Sequence, residues 1–146
     1  MTTTKMIIGN LESCELPDLG ITGLHTRIDT GATTSSLHVD NLKRIKKDGK
    51  RYVSFDIHPD VHNVERIIHC TALLENSKKI KSSNGGAETR PVIQTMFSLN
   101  GQSWPVKLTL TDRSDMSYLM LLGREGMGDL ILVDPSNSFL VSQDSL

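Results

Sequence analysis

Residues 27–36 read Arg27-Ile28-Asp29-Thr30-Gly31-Ala32-Thr33-Thr34-Ser35-Ser36: an apolar strand end, an acid, a Thr-Gly-Ala turn, and four hydroxyl side chains in a row. Glycine after the threonine lets the chain turn where a side chain would clash, so Asp29 can be presented at a loop tip. Thr30 offers a hydroxyl and a backbone donor able to orient a carboxylate. The same triplet also closes an Asx-type turn at a strand end, with no chemistry attached. Three-residue motifs recur by chance, so the surrounding sequence has to decide between a presented acid and a plain turn.

Outward from that loop the chain reads as β. Residues 51–57 place Val53, Phe55 and Ile57 on one face of a period-two pattern, and residues 104–111 do the same with Val106, Leu108 and Leu110. Shorter β-rich pieces lie at 6–8, 24–28, 65–74, 92–99, 119–122, 130–133 and 139–141. Turn chemistry separates them: Pro17-Asp18-Leu19-Gly20, Lys47-Asp48-Gly49-Lys50, Asn84-Gly85-Gly86, Asn100-Gly101 and Asp134-Pro135. Asn100-Gly101, between two β-like runs, is the strongest hairpin signal. No long window keeps a 3.6-residue stripe. Short helices are expected at 39–46 and after Gly123, where Gly126 and Gly128 weaken the case. Many short strands with regular turns predict an all-β sandwich or barrel.

Composition sets the outer bounds. A chain of 146 residues, 37% hydrophobic and 23% charged, is expected to form one globular domain spanning 1–146. Sixteen basic against 17 acidic side chains argue against nucleic acid as the main partner. No apolar run of ~18 residues predicts a membrane span, and the start MTTTKMIIGN lacks a signal peptide's apolar region. Cys14 and Cys70 are too few and too far apart for a disulfide framework. The expectation is a cytoplasmic domain with reduced thiols.

A second segment gives the loop its meaning. Residues 119–124 read L-M-L-L-G-R, an apolar run ended by Gly123 and Arg124. Asp-Thr-Gly-Ala followed some 90 residues later by apolar-apolar-Gly-Arg resembles the retropepsin-like aspartic proteases. The resemblance narrows to one bacterial and archaeal family whose members carry the name ATP-dependent zinc protease but look like retropepsin-type aspartic peptidases. The matching stretches are L-P-D-L-G-I (16–21), R-I-D-T-G-A-T-T-S-S-L-H (27–38), D-G-K-R-Y-V-S-F (48–55), K-S-S-N-G (81–85), E-T-R-P-V-I (88–93), W-P-V-K-L-T-L-T-D-R (104–113), M-L-L-G-R-E (120–125) and V-D-P-S-N-S-F-L (133–140). They cover nearly the whole chain. One departure is Asn10, where that family is expected to carry Trp.

The resemblance implies an acid-protease barrel of a single lobe, with one or two short helices, and a catalytic Asp29. Aspartic proteolysis needs two carboxylates sharing one proton, and this chain has one Asp-Thr-Gly and no Asp-Ser-Gly. The second carboxylate is therefore expected from the same residue of a partner chain, in a two-fold homodimer acting on a peptide or protein substrate. Thr30, Gly31 and Ala32 would complete the loop. Leu121, Leu122 and Gly123 would support it from beneath, with small-residue packing giving Gly123 its reason. Arg124 is expected to anchor the loop or a dimer contact rather than touch substrate. Ser82, Ser83, Asn84, Gly85 and Gly86 would form a flap, unless they are a plain surface loop. Glu88 and Arg90, two apart, would pair on one strand face.

No cofactor is expected. The soft ligands are His25, His38, His58, His62, His69, Cys14 and Cys70, with no His-Glu-x-x-His and no Cys-x-x-Cys. His58 and His62 have helical spacing, but Pro59 opposes a helix there, and His69 and Cys70 would face opposite ways on a strand. Asn84-Gly85-Gly86 lacks the Lys-Ser/Thr of a phosphate loop. The ATP in the family name is better matched to neighbouring ATP-grasp ligases that add glutamate to a ribosomal protein. Such a ligase, or its modified product, is the partner the resemblance suggests. The rival reading is a catalytically inactive binding or accessory module that keeps the peptidase fold.

Overall fold

The computed structural model describes residues 4–59, 65–81, 85–112 and 118–143. Its elements are β1 (Met6–Ile8), β2 (Leu11–Leu16), β3 (Ile21–Ile28), β4 (Ser35–His38), β5 (Asp40–Lys47), β6 (Lys50–Ile57), β7 (Ile68–Leu73), β8 (Asn76–Lys81), β9 (Ala87–Leu99), β10 (Gln102–Thr111), β11 (Met120–Leu122), α1 (Arg124–Met127) and β12 (Ile131–Val133). A 3-10 turn at Pro17–Leu19 joins β2 to β3 and ends on Gly20 in the left-handed region. Strands run β10-β4-β11-β3-β2-β9, and β9 pairs back onto β10 to close a six-stranded barrel, with β8 added on the outer edge of β9. A three-stranded sheet, β5-β6-β7, stands beside it, and β1 pairs with β12 in parallel. The fold is the all-β, retropepsin-like barrel expected from the sequence.

The core is aliphatic, with few rings. Leu24, Leu37, Ile93, Leu108, Met120 and Leu122 are fully buried, as are Phe55 and Phe97. The alternating residues Val53, Phe55 and Ile57 all lie inside. Trp104 stacks at a tilt on Phe97, 5.1 Å between centroids, and its indole N–H donates to the Gly126 carbonyl at 2.7 Å, tying β10 to α1. Both cysteines are free and buried.

Asn100-Gly101 closes the β9–β10 hairpin with φ of 52° and 77°, the pair of positive values that a two-residue primed turn requires. Asp48-Gly49 does the same between β5 and β6, with φ of 52° and 78°. Residues 39–46, expected as a helix, form β5 instead. Their lysines favour helix locally, but Asn41 takes φ 54° at a register shift and the Asp48-Gly49 turn pairs the segment with β6. Residues 139–141, expected as a strand, make no ladder: Phe139 has φ 54°, and the next two N–H groups bond a side chain, the Glu12 carboxylate. The single turn α1 follows Gly123, as expected.

Candidate active site

Asp29 directly follows β3 and starts a loop that returns as β4. β11 lies between these two strands, parallel to β3 (Leu122 opposite Ile28) and antiparallel to β4 (Leu121 opposite Ser36). The strand entering the loop and the strand leaving it are thus braced by one three-residue segment. The Asp29 N–H donates to the Leu122 carbonyl at 2.9 Å. Gly123 N–H donates to Ser35 Oγ at 3.0 Å, and the Arg124 and Glu125 N–H groups donate to the carbonyls of Ala32 (2.9 Å) and Thr33 (3.0 Å).

Gly123 has no room for a side chain. A Cβ there would fall against the Thr34 carbonyl, 2.6 Å from its carbon, and 3.0 Å from the Ala32 oxygen. Its φ of −91° is ordinary, so close approach rather than backbone freedom requires the glycine. The Arg124 guanidinium clamps the same loop, donating to the Thr30 carbonyl at 2.8 Å and to Thr33 Oγ1 at 3.0 Å.

At the tip, the Gly31 N–H donates to Asp29 Oδ1 at 2.9 Å. This is the Asx-type turn the triplet permits, and it also fixes the carboxylate; the two readings of the motif describe one geometry. Asp29 is half-buried while Thr30 and Gly31 are exposed, so the carboxylate sits at the rim of the barrel. It lines a polar cleft of about 400 Å³ together with Asn10, Arg27, Thr30, Tyr118 and Ser138.

That cleft contains residues the sequence reasoning did not place. Asn10 Nδ2 donates to the Pro135 carbonyl at 3.0 Å, and Ser138 Oγ to Asn10 Oδ1 at 2.7 Å, while the Asn10 carbonyl accepts the Ile28 N–H at 2.9 Å. The departure at position 10 is thus built into a polar seam beside Asp29. Ser35 was legible as one of four hydroxyls, but its bond to Gly123 depends on a fold that brings positions 35 and 123 together. Gly85 and Gly86 lie in the connection between β8 and β9; Ser82, Ser83 and Asn84 fall outside the described residues. Arg90 pairs with Glu88 at 3.3 Å on one face of β9.

Among the described residues, no group of three or more His, Cys, Asp or Glu side chains converges as a metal site. His58 and His69 are engaged with carboxylates, at 3.2 Å from Asp40 and 2.7 Å from Asp56. Burial pushes the Cys14 thiol up to about 12 and the Cys70 thiol up to about 11. Among the described residues these donors do not converge on a zinc centre, and His62 lies outside those residues.

The sequence profile of a family described as RimB-like, the retropepsin-like aspartic endopeptidase RimB, matches residues 7–144. The chain belongs to the RimB-like family. Similar full-length proteins are named probable alpha-L-glutamate ligases. The one from Shewanella halifaxensis is 44% identical over 145 residues, 99% of this chain and 32% of that protein. The one from Desulfotalea psychrophila is 42% identical over 132 residues, 90% of this chain and 28% of that protein. This RimB-like chain therefore spans about a third of the length of the curated relatives it matches. A crystal structure of a Legionella pneumophila protein of unknown function, assigned to DUF785, superposes with a TM-score of 0.79 at 29% identity, covering 94% of this chain and 99% of that one. Among the described residues no helix is long and apolar enough to cross a membrane.

Proposed function

We propose that residues 1–146 act as one retropepsin-like aspartic endopeptidase domain, with Asp29 of two chains forming the catalytic dyad of a homodimer. The observation that carries this reading is the half-buried Asp29 at a loop tip braced by Leu122, Gly123 and Arg124, in a chain of the RimB-like family. Two carboxylates about 3 Å apart share a proton, since both cannot ionise cheaply. The ionised Asp29 takes a proton from a water, whose oxygen attacks the scissile carbonyl carbon. The protonated Asp29 hydrogen-bonds the carbonyl oxygen as it becomes tetrahedral. Proton delivery to the amide nitrogen then lets the C–N bond break. Ala32 and Thr30 hold the loop, Gly31 leaves space for the substrate backbone, and the residues 82–86 serve as a flap. No metal or other cofactor takes part.

The relatives' name supports a reading of the substrate class. Proteins that contain a region similar to this chain within something about three times longer are named glutamate ligases. We read the chain as the hydrolytic partner of such a ligase in the cytoplasm, acting on its glutamate-extended product. The same name also favours the rival, an accessory module without catalysis. Asp29→Asn separates the two. The peptidase reading expects peptide cleavage to vanish with the melting temperature preserved. An accessory module expects its ligand interaction unchanged, and no cleavage by either protein.

A further inference from the structure

The outer half of the β5–β6 hairpin is built almost wholly of cations. Lys43, Arg44, Lys46, Lys47, Lys50 and Arg51 fall within residues 43–51, against one acid, Asp48, in the turn. With the whole chain at a net charge of −1, this is a local concentration rather than the reflection of a basic protein. Register sets Lys46 opposite Arg51 and Lys47 opposite Lys50. Like charges directly opposite on a ladder destabilise it. All four are exposed, and none forms an ion pair among the described residues.

The hairpin's remaining acids do not relieve this. Asp40 and Asp56 face each other at its base. His58 lies against Asp40 at 3.2 Å, while Asn41 and His69 hold Asp56 at 2.8 and 2.7 Å. Lysines on an exposed edge strand also guard against edge-to-edge pairing, and β5 is such an edge. On β6 the β7 ladder starts only at Tyr52, opposite Leu73, so Lys50 lies beyond it, while the Arg51 carbonyl already accepts the Leu74 N–H at 2.9 Å. Edge protection therefore accounts for the cations of β5 and for Lys50, but not for Arg51 or for setting cations opposite one another across the ladder.

We propose that the β5–β6 hairpin is a docking arm for an acidic peptide, its cross-strand cation pairs Lys46–Arg51 and Lys47–Lys50 receiving consecutive glutamate carboxylates. The inference rests on the proposed reading of the substrate as a glutamate-extended chain. Arg44 Nη1 donates to Ser77 Oγ at 3.2 Å, tying the hairpin to β8, whose next residues are Lys78 and Lys79. The arm leaves the barrel directly after β4, the strand that continues the Asp29 loop. A concentrated positive field of this kind steers an anionic segment and fixes its register.

The test is binding of a fluorescent peptide ending in several glutamates to the full chain carrying Asp29→Asn. Cleavage is then absent, so failure of catalysis and failure of docking read separately. The K46Q/K47Q/K50Q/R51Q variant on that background is expected to bind at least about tenfold more weakly, with Lys5→Gln unchanged. A glutamine-ended peptide is expected to bind poorly, and added salt to weaken the parent interaction. The fourfold variant should melt at or above the parent temperature, since two repulsive pairs are removed. The double variant K47Q/K50Q should give an intermediate loss. Undiminished affinity in these variants, or equal binding of the glutamine peptide, would overturn the proposal. So would tighter, arm-dependent binding of an oligoribonucleotide of equal charge, which would assign the arm to RNA.

Discussion

A single methyl at position 123 would collide with the Thr34 carbonyl at the end of the Asp29 loop. Gly123→Ala is therefore expected to push β11 away from Thr34 and to destabilise the protein by about 1–3 kcal/mol, as overpacking does; urea unfolding measures it. At Arg124, substitution by Ala leaves the Thr30 carbonyl and Thr33 Oγ1 without their donor. These positions show how far single residues could be read. Asp29, Gly123 and Arg124 are recognisable because each type is forced by local chemistry or by a tight crossing. Asn10 and Ser138 are not: their value lies in a bond across 128 positions of sequence, which no local pattern announces.

At the scale of elements, the strands that alternate cleanly, β6 and β10, were legible, and so were the turns whose residues tolerate positive φ. β2 was hidden because its inward positions are Glu12, Cys14 and Leu16, so a charged residue occupies a core place. Glu12 is fully buried, and it accepts N–H groups from Gly9 (2.7 Å), Leu140 (3.0 Å) and Val141 (3.3 Å) and the Ser142 hydroxyl (2.6 Å). The last described segment is thus held by a carboxylate instead of a ladder, which is why 139–141 misled as a strand. Glu12→Ala leaves those donors unpaired, the Gly9 N–H in a buried place and the others part-buried, and is expected to cost about 1–3 kcal/mol, the range for one buried donor stranded. Faster hydrogen exchange at Leu140 and Val141 would accompany it.

The hairpin base carries a pH signature of its own. Hydrogen bonds from Asn41 and His69 hold the Asp56 carboxyl below its ordinary value of 3.8. A depressed folded-state value contributes stability that is present above the unfolded value and lost as pH falls through the folded one. Asp56→Asn should therefore flatten part of the decline in stability below pH ~4, the usual carboxylate range. Urea midpoints measured from neutral pH downward for both proteins read the difference.

For the whole molecule, the barrel places one Asp-Thr-Gly loop at its rim and closes on itself through β9 and β10, and on the proposed reading the second carboxylate comes from a partner chain. The all-β class was legible from alternation and turn spacing, whereas closure was not, because the ring depends on pairings such as Glu15 with Ser98 that no local pattern records. The central claim is that two copies of Asp29 make one active site. Its most direct test is a mixing experiment: wild type held constant and co-refolded with a ninefold excess of Asp29→Asn, with peptide cleavage measured per wild-type chain. A shared dyad predicts a fall to roughly one tenth, because most wild-type chains then face an inert partner. Cleavage that stays at the undiluted rate would contradict the account, since each chain would then be working alone.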